Sequence, residues 1–288
     1  MAILITGASS GFGAAMAQTF VQAGYLVIGT ARRGEKLTDL QVRLGDRFQP
    51  IVMDVCDKES VQAALLHIQT LPEKFQTIDC LINNAGLALG LDSADKANFA
   101  DWETMIHTNI IGLSYLTHQV LPKMVVNKRG YIINIGSIAG NYPYFGGNVY
   151  GATKAYVRQF SLNLRADLHG TGVRVSNIEP GLCEGSEFSN VRFKGDDERA
   201  AKLYEYANAL TAQDIAETAL WLYQRPAHMN VNTIEVMPVS QSFAGLQVHK
   251  DVPPPPPAPE LPVVVETPSV AAAQSEQGFL GKLASLFK

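Results

Sequence analysis

Strand-length apolar runs recur along this chain, each leading into a helix-like stretch, and that succession constrains the fold more than any other feature. The runs are AILIT (2–6), YLVIGTA (25–31), FQPIVMDV (48–55), DCLINNAG (79–86), GYIINIGS (130–137), VRVSNIEPG (173–181) and NTIEVMPV (232–239). Continuous Val, Ile and Leu, rather than alternation with polar residues, marks strands buried on both faces. Helices are predicted near 11–24, 34–44, 57–70, 101–127, 150–168 and 212–224. Strand and helix in strict succession predict an α/β fold. The expected form is a Rossmann-type doubly wound parallel sheet of about seven strands in three layers, joined by right-handed crossovers. No repeat of 20–50 residues interrupts the pattern.

The pattern stops near residue 250. Residues 253–268 hold 8 of the 15 prolines of the chain. The expected organisation is one Rossmann-type domain over 1–249, a Pro-rich linker without a core over 250–275, and a short amphipathic peptide over 276–288. In a helix, Phe279, Leu280, Leu283, Leu286 and Phe287 share one face, with Lys282, Ser285 and Lys288 off it. That peptide reads either as a docking element or as a tail with a chance apolar face. Candidate docking partners are a protein shell, another protein's groove or a membrane surface.

A net charge of −4 gives no electrostatic case for nucleic acid. No run of about 18 apolar residues occurs, and the N-terminus lacks the charged start and long apolar core of a signal peptide. The three cysteines, Cys56, Cys80 and Cys183, are odd in number and widely spaced. They read as buried free thiols in a reducing compartment, with no metal site, and the protein is expected to be cytoplasmic.

The segment TGASSGFG (6–13) follows the first strand directly and opens a helix. Glycine permits positive φ and close approach of backbone to a ligand, and the helix start offers unpaired N–H groups to phosphate. Gly7, Ala8, Ser9, Ser10, Gly11, Phe12 and Gly13 are therefore candidate nucleotide-binding residues; a bare strand–helix turn is the alternative. At the end of the second strand, GTARRGEK places Arg32 and Arg33 where an acid would bond a ribose 2′-hydroxyl. Guanidinium groups suit a 2′-phosphate, so NADP is the expected dinucleotide, against two solvated loop arginines. Asp54 and Val55 end the third run, where Asp54 is placed to accept from an adenine amino group. Asn84, Ala85 and Gly86 end the fourth and form a small-residue floor. Ser137 stands at the carboxyl end of the fifth strand, where ligands of such sheets bind. Tyr150 and Lys154 lie four apart on a predicted helix, hence on one face. That spacing alone does not separate a routine contact from an activated acid/base.

Taken together, these pieces resemble the short-chain dehydrogenase/reductase family. The match comprises the glycine segment 6–13, NNAG, Asn109 in HTNIIG, Ser137 in IGSIAG, YGATK (150–154) and EPG (179–181), in the family's order over residues 1–245. NNAGLALG, DWETMI, GGNVYGATKAYVRQFSLNLR, FSNVRFKGDD and NTIEVMP are similar to the branch of NADP-dependent 3-hydroxy acid dehydrogenases. That branch acts on serine, allo-threonine and related acids and reduces malonic semialdehyde. The resemblance implies Tyr150 as acid/base, Lys154 lowering its pKa and bonding the nicotinamide ribose, and Ser137 holding the substrate oxygen. It implies Asn109 holding a water that links Lys154 to solvent, and Pro180, Gly181, Leu182 and Cys183 covering the nicotinamide. It further implies a lid after that segment and a homotetramer built on the helices near 101–127 and 150–168. A 3-hydroxy acid requires a cation for its carboxylate, and Arg192 or Lys194 is expected to supply it, with Arg192 the first choice. A reductase of small non-acidic carbonyls and a non-catalytic NADP-binding scaffold are the alternatives.

Overall fold

The computed structural model describes residues 1–242; the predicted linker and terminal peptide lie outside the described residues. Seven strands form one parallel sheet: β1 (Ala2–Thr6), β2 (Leu26–Ala31), β3 (Phe48–Val52), β4 (Ile78–Asn83), β5 (Gly130–Ile135), β6 (Val173–Pro180) and β7 (Thr233–Val236). Their order across the sheet is β3-β2-β1-β4-β5-β6-β7. This is the expected doubly wound arrangement, with its switch point between β1 and β4.

Each predicted helix is present: α1 (Gly11–Gln22), α2 (Gly34–Leu44), α3 (Lys58–Ile68), α4 (Phe99–Ile106) running through a π-helical turn (His107–Gly112) into α5 (Leu113–Val126), and α6 (Asn148–Asp167). Two short helices not predicted, α7 (Phe188–Arg192) and α8 (Asp197–Lys202), follow β6, and α9 (Ala212–Tyr223) precedes β7. The long apolar runs explain the layers. Alternate strand residues face opposite ways, so Ile3, Ile5, Val27, Cys80 and Ile133 pack with Met16, Phe20, Leu37 and Ile215 on one side. Leu4, Ile28, Leu81, Ile132 and Val175 pack with Val61, Ala64, Leu116, Val120 and Leu164 on the other. Truncating one such core residue to Ala costs about 2–5 kcal/mol.

The predicted strands overshoot at their carboxyl ends. The expected runs to 55, 86 and 137 stop at Val52, Asn83 and Ile135. The residues left over leave the ladder and turn into the crevice. This also corrects the thiol reading: Cys80 is buried, but Cys56 lies past the end of β3 and is exposed, and Cys183 is half-buried. Among the described residues no helix is long and apolar enough to cross a membrane.

Candidate active site

At the switch point the loops after β1 and β4 diverge, as sheet topology requires, and a cavity of about 760 Å³ opens there. Its floor is set by Thr6 and Asn84. The Thr6 hydroxyl accepts from the backbone N–H of Asn84 and Ala85 at 3.0 and 2.9 Å, and Asn84 Nδ2 donates to the Thr6 carbonyl at 2.8 Å. Gly7 and Gly11 turn the chain with φ of +68° and +51°, conformations that disfavour any side chain. Gly13 has a different reason: a Cβ there would stand 2.2 Å from the Gly7 carbonyl oxygen. Ser10 caps α1 without a side-chain bond to the helix. The first-turn N–H groups therefore have no side-chain cap. Ser9, Ser10 and Phe12 line the cavity with the two turning glycines; Ala8 and Gly13 lie behind them.

Beside this loop, Arg32, Arg33, Asp54 and Val55 line the adjoining corner. Asp54 Oδ1 accepts from the Cys56 N–H at 2.9 Å. Arg32 makes no hydrogen bond or ion pair among the described residues. Arg33 is engaged on three sides: with Ser9, with Ser10, and with Glu187 at 2.7 Å. Glu187 also pairs with Lys36 at 2.7 Å. The end of β2, which carries no acid before Glu35, thus receives one from far along the chain, a contact no local pattern announces.

The predicted catalytic set converges on the other side of the crevice. Ser137, at the turn after β5, accepts from the Ala139 N–H at 3.1 Å, and its own O–H is placed to donate toward the Tyr150 oxygen and the cavity. Tyr150 and Lys154 share one face of α6, with the ammonium 5.9 Å from the ring centroid, and both are 7% exposed. Lys154 Nζ donates to the Ile135 carbonyl at 2.8 Å. Burial holds the Lys154 amine down to about 8. Burial is also the largest influence on Tyr150, and it pushes the phenol well above its usual range; Ser137 and Arg192 offset this only in part. The expectation that Lys154 lowers the Tyr150 pKa is therefore not met in the protein alone. Burial is the one influence on Lys154, and on Tyr150 it outweighs Ser137 and Arg192, which favours the protonated phenol.

Asn109 sits in the π-helical turn, where the extra residue rotates its side chain toward the β4 loop. It accepts from the Leu87 N–H at 3.0 Å and donates to the Leu87 carbonyl at 2.9 Å and to Thr153 at 3.0 Å. These bonds clamp the turn that carries Gly86. A Cβ on Gly86 would come 3.2 Å from Asn109 Oδ1 and 3.6 Å from Lys154 Nζ, so a side chain there would crowd the Asn109 amide and fill the space between them.

The chain after β6 forms a strap over the cavity. Pro180, Gly181, Leu182 and Cys183 line it, and burial raises the Cys183 thiol to about 12, which makes it inert. Gln241, which the sequence reading passed over, accepts from the Leu182 N–H at 2.7 Å and fixes the start of the strap. Farther on, Arg192 Nη2 donates to the Tyr144 hydroxyl at 2.7 Å, and its guanidinium lies 5.5 Å from the Tyr150 ring centroid. Lys194 points away and pairs with Asp101 at 2.8 Å, so of the two cations considered for a carboxylate only Arg192 reaches the cavity. Tyr144 was not anticipated either.

The glycine turn, the uncapped helix start and a basic corner fit the phosphates of a dinucleotide, and the volume is in the range of cofactor sites. Known proteins point the same way. A family model described as short chain dehydrogenase matches residues 1–196. A probable NADP-dependent dehydrogenase of Haemophilus influenzae is 57% identical over 248 residues, 86% of this chain and 97% of that protein. An NADP-dependent 3-hydroxy acid dehydrogenase of Salmonella typhi is 57% identical over 250 residues, 87% of this chain and all of that protein, 100%. A solved closed form of serine dehydrogenase complexed with NADP+ superposes with a TM-score of 0.84 at 55% identity, covering 87% of this chain and 100% of that one. With its sheet order, its glycine turn and its Ser–Tyr–Lys cluster in one cavity, the chain belongs to the short-chain dehydrogenase family.

Proposed function

We propose that this protein is an NADP-dependent oxidoreductase that interconverts a small 3-hydroxy acid, of the serine, allo-threonine or 3-hydroxypropionate type, with its 3-oxo acid or semialdehyde. The observation that carries the substrate class is the Arg192 guanidinium, 5.5 Å from the Tyr150 ring in a shared cavity. Its Nε and Nη2 donate to the Gly90 carbonyl at 3.3 Å and to Tyr144 at 2.7 Å, which leaves Nη1 and the second hydrogen of Nη2 for a carboxylate beside the group that would handle the proton of the alcohol. The similarity to an NADP-dependent 3-hydroxy acid dehydrogenase and to a serine dehydrogenase supports the same reading.

In this reading the glycine segment and the start of α1 hold the pyrophosphate, Arg32 and Arg33 the 2′-phosphate, and Asp54 the adenine edge. Asn84, Ala85 and Gly86 form the floor, Tyr150 and Lys154 bond the ribose, and Pro180 to Cys183 cover the nicotinamide. NADP supplies the hydride acceptor, or in its reduced form the donor. The residues manage the proton. Ser137 donates its O–H to the substrate oxygen. Tyr150 gives its phenol proton to the forming alkoxide in reduction and is left as phenolate; in oxidation it takes the alcohol proton from that phenolate form and ends protonated. The phenolate formed in reduction is stabilised by the Lys154 and Arg192 cations. Asn109 keeps the Gly86 turn clear of Lys154. The reading also places the protein in the cytoplasm as a tetramer. The exposed Tyr156, stacked on Phe160 at 5.6 Å and bonded to Ser114 at 2.9 Å, supports an interface across α5 and α6.

The test is a substrate panel followed by NADPH absorbance. L-Serine and 3-hydroxypropionate, oxidised with NADP+, are compared with the neutral 1,3-propanediol in wild type and Arg192→Met. KM for the acids should rise about 30-fold, the loss of one charge-assisted fork, with KM for the diol unchanged. Equal effects on acid and diol would remove Arg192 from the substrate site and favour a reductase of neutral carbonyls.

A further inference from the structure

We propose that Glu187 is a positioning residue of the nucleotide site, tying the strap that carries Arg192 to the same guanidinium that receives the ribose 2′-phosphate; this rests on the NADP reading above.

Arg33 faces two ways. Its Nη1 meets Glu187 Oε2 at 2.7 Å. Its other edge is aimed at the glycine loop, where Nε and Nη2 both converge on the single Ser9 hydroxyl at 3.3 and 3.1 Å, and Nη2 also reaches Ser10 at 2.9 Å. Two parallel N–H groups on one hydroxyl oxygen under-use a fork built for two oxygens, and a phosphate would engage both. The edge that pairs with Glu187 stays occupied when that happens. Lys36 supplies a second cation to Glu187 at 2.7 Å. Arg32, Arg33 and Lys36 outnumber the Glu187 and Asp54 carboxylates, which leaves the corner positive and able to accept an anion. The two cations hold the Glu187 carboxyl down at about 2, so it is charged at any working pH.

The strap is seated closely at this point. A Cβ on Gly11 would stand 2.8 Å from Ser186 Cβ. From Glu187 the chain runs directly into the single turn of α7, which ends at Arg192. The far end is fixed as well. The Gly90 N–H donates to the Arg192 carbonyl at 2.9 Å, and Lys194 pairs with Asp101 at 2.8 Å. A guanidinium steadied by phosphate on one edge holds Glu187 on the other, and Glu187 holds the turn that presents Arg192. The phosphate that distinguishes NADP from NAD is thereby coupled to the seating of the substrate-binding cation, with no contact between the two ligands.

The experiment is hydrogen exchange over residues 184–195 of the full chain, with 2′,5′-ADP or 5′-AMP at saturation. In wild type 2′,5′-ADP should slow exchange of the strap about fivefold beyond 5′-AMP, the scale of one partly exposed ion pair. Glu187→Gln should lose that increment, so that 2′,5′-ADP protects the strap no more than 5′-AMP does. Glu187→Asp, which keeps the charge, should restore part of it. A Glu187→Gln variant that keeps the full increment would overturn the coupling while leaving the NADP reading intact. Wild type that binds the two nucleotides equally would overturn both.

Discussion

The two ends of the sheet carry the same kinds of side chain and use them differently. At the amino ends of the strands, Asp79 accepts from Arg129 at 2.6 and 3.1 Å and from the Tyr223 hydroxyl at 2.8 Å. Arg174 donates to the carbonyls of Tyr223 and Arg225 at 3.1 and 3.0 Å and lies 3.9 Å over the Tyr131 ring. The Tyr131 and Ser176 hydroxyls meet at 2.6 Å. Each of these side chains has a bonded partner within the protein. At the carboxyl ends, Tyr150, Lys154, Ser137 and Arg192 surround an open cavity. Arg32 has no bonded partner among the described residues, and Ser137 has a proton to give. A tyrosine is pushed up by burial at each end, Tyr223 and Tyr150 alike. Raised pKa therefore does not mark the site in this fold. What marks it is donor capacity left unused at a cavity.

The contrast can be broken at either end. Asp79→Ala removes a buried acceptor and leaves the Tyr223 hydroxyl without its partner, while the largely exposed Arg129 returns to water. Stability should fall by about 2 kcal/mol, lowering Tm by roughly 4–8 °C, while kcat per folded molecule at 25 °C stays within about twofold. Calorimetry beside initial rates would show it. A large loss of kcat without loss of Tm would mean that the two ends are not separate.

A smaller effect sharpens the comparison through pH. The folded Lys154 pKa, about 8, lies below the ordinary value of 10.5. Its charge is disfavoured in the fold, so the penalty is complete below about pH 8 and is released as pH rises toward 10.5. The stability of wild type relative to Lys154→Met should hold steady below pH 8. It should then climb by up to about 1.4 kcal/mol per pH unit between pH 8 and 10, read as the difference in Tm between the two proteins. A flat difference across that window would mean that Lys154 titrates as a solvated lysine.

Most of the frame was legible because parallel strands buried on both faces write their burial directly into sequence as Val/Ile/Leu runs. The gathering of Gly7, Gly11, Ser137 and the Tyr150–Lys154 pair around one cavity was legible because each sits in a short local motif. What escaped was tertiary. Glu187 enters a corner built about 150 residues earlier, and Tyr144 and Gln241 come to the cavity through their bonds to Arg192 and Leu182. Helices α7 and α8 are too short and too polar to show a period. Locally, nothing separates Arg192 from Lys194; only the fold turns one inward and ties the other to α4. The protonation of Tyr150 was misjudged because sequence spacing shows the neighbouring cation but not the depth of burial that outweighs it.

The claim on which the account rests is that the Tyr150 phenol passes the proton at a site shared with NADP. The direct measurement is Tyr150→Phe, with NADP+ binding followed by fluorescence quenching and turnover of 3-hydroxypropionate by absorbance. Binding should remain within about threefold of wild type, while kcat falls by about 10³-fold, the usual range for loss of a positioned acid/base. A Tyr150→Phe protein that keeps more than about a tenth of wild-type kcat would contradict it.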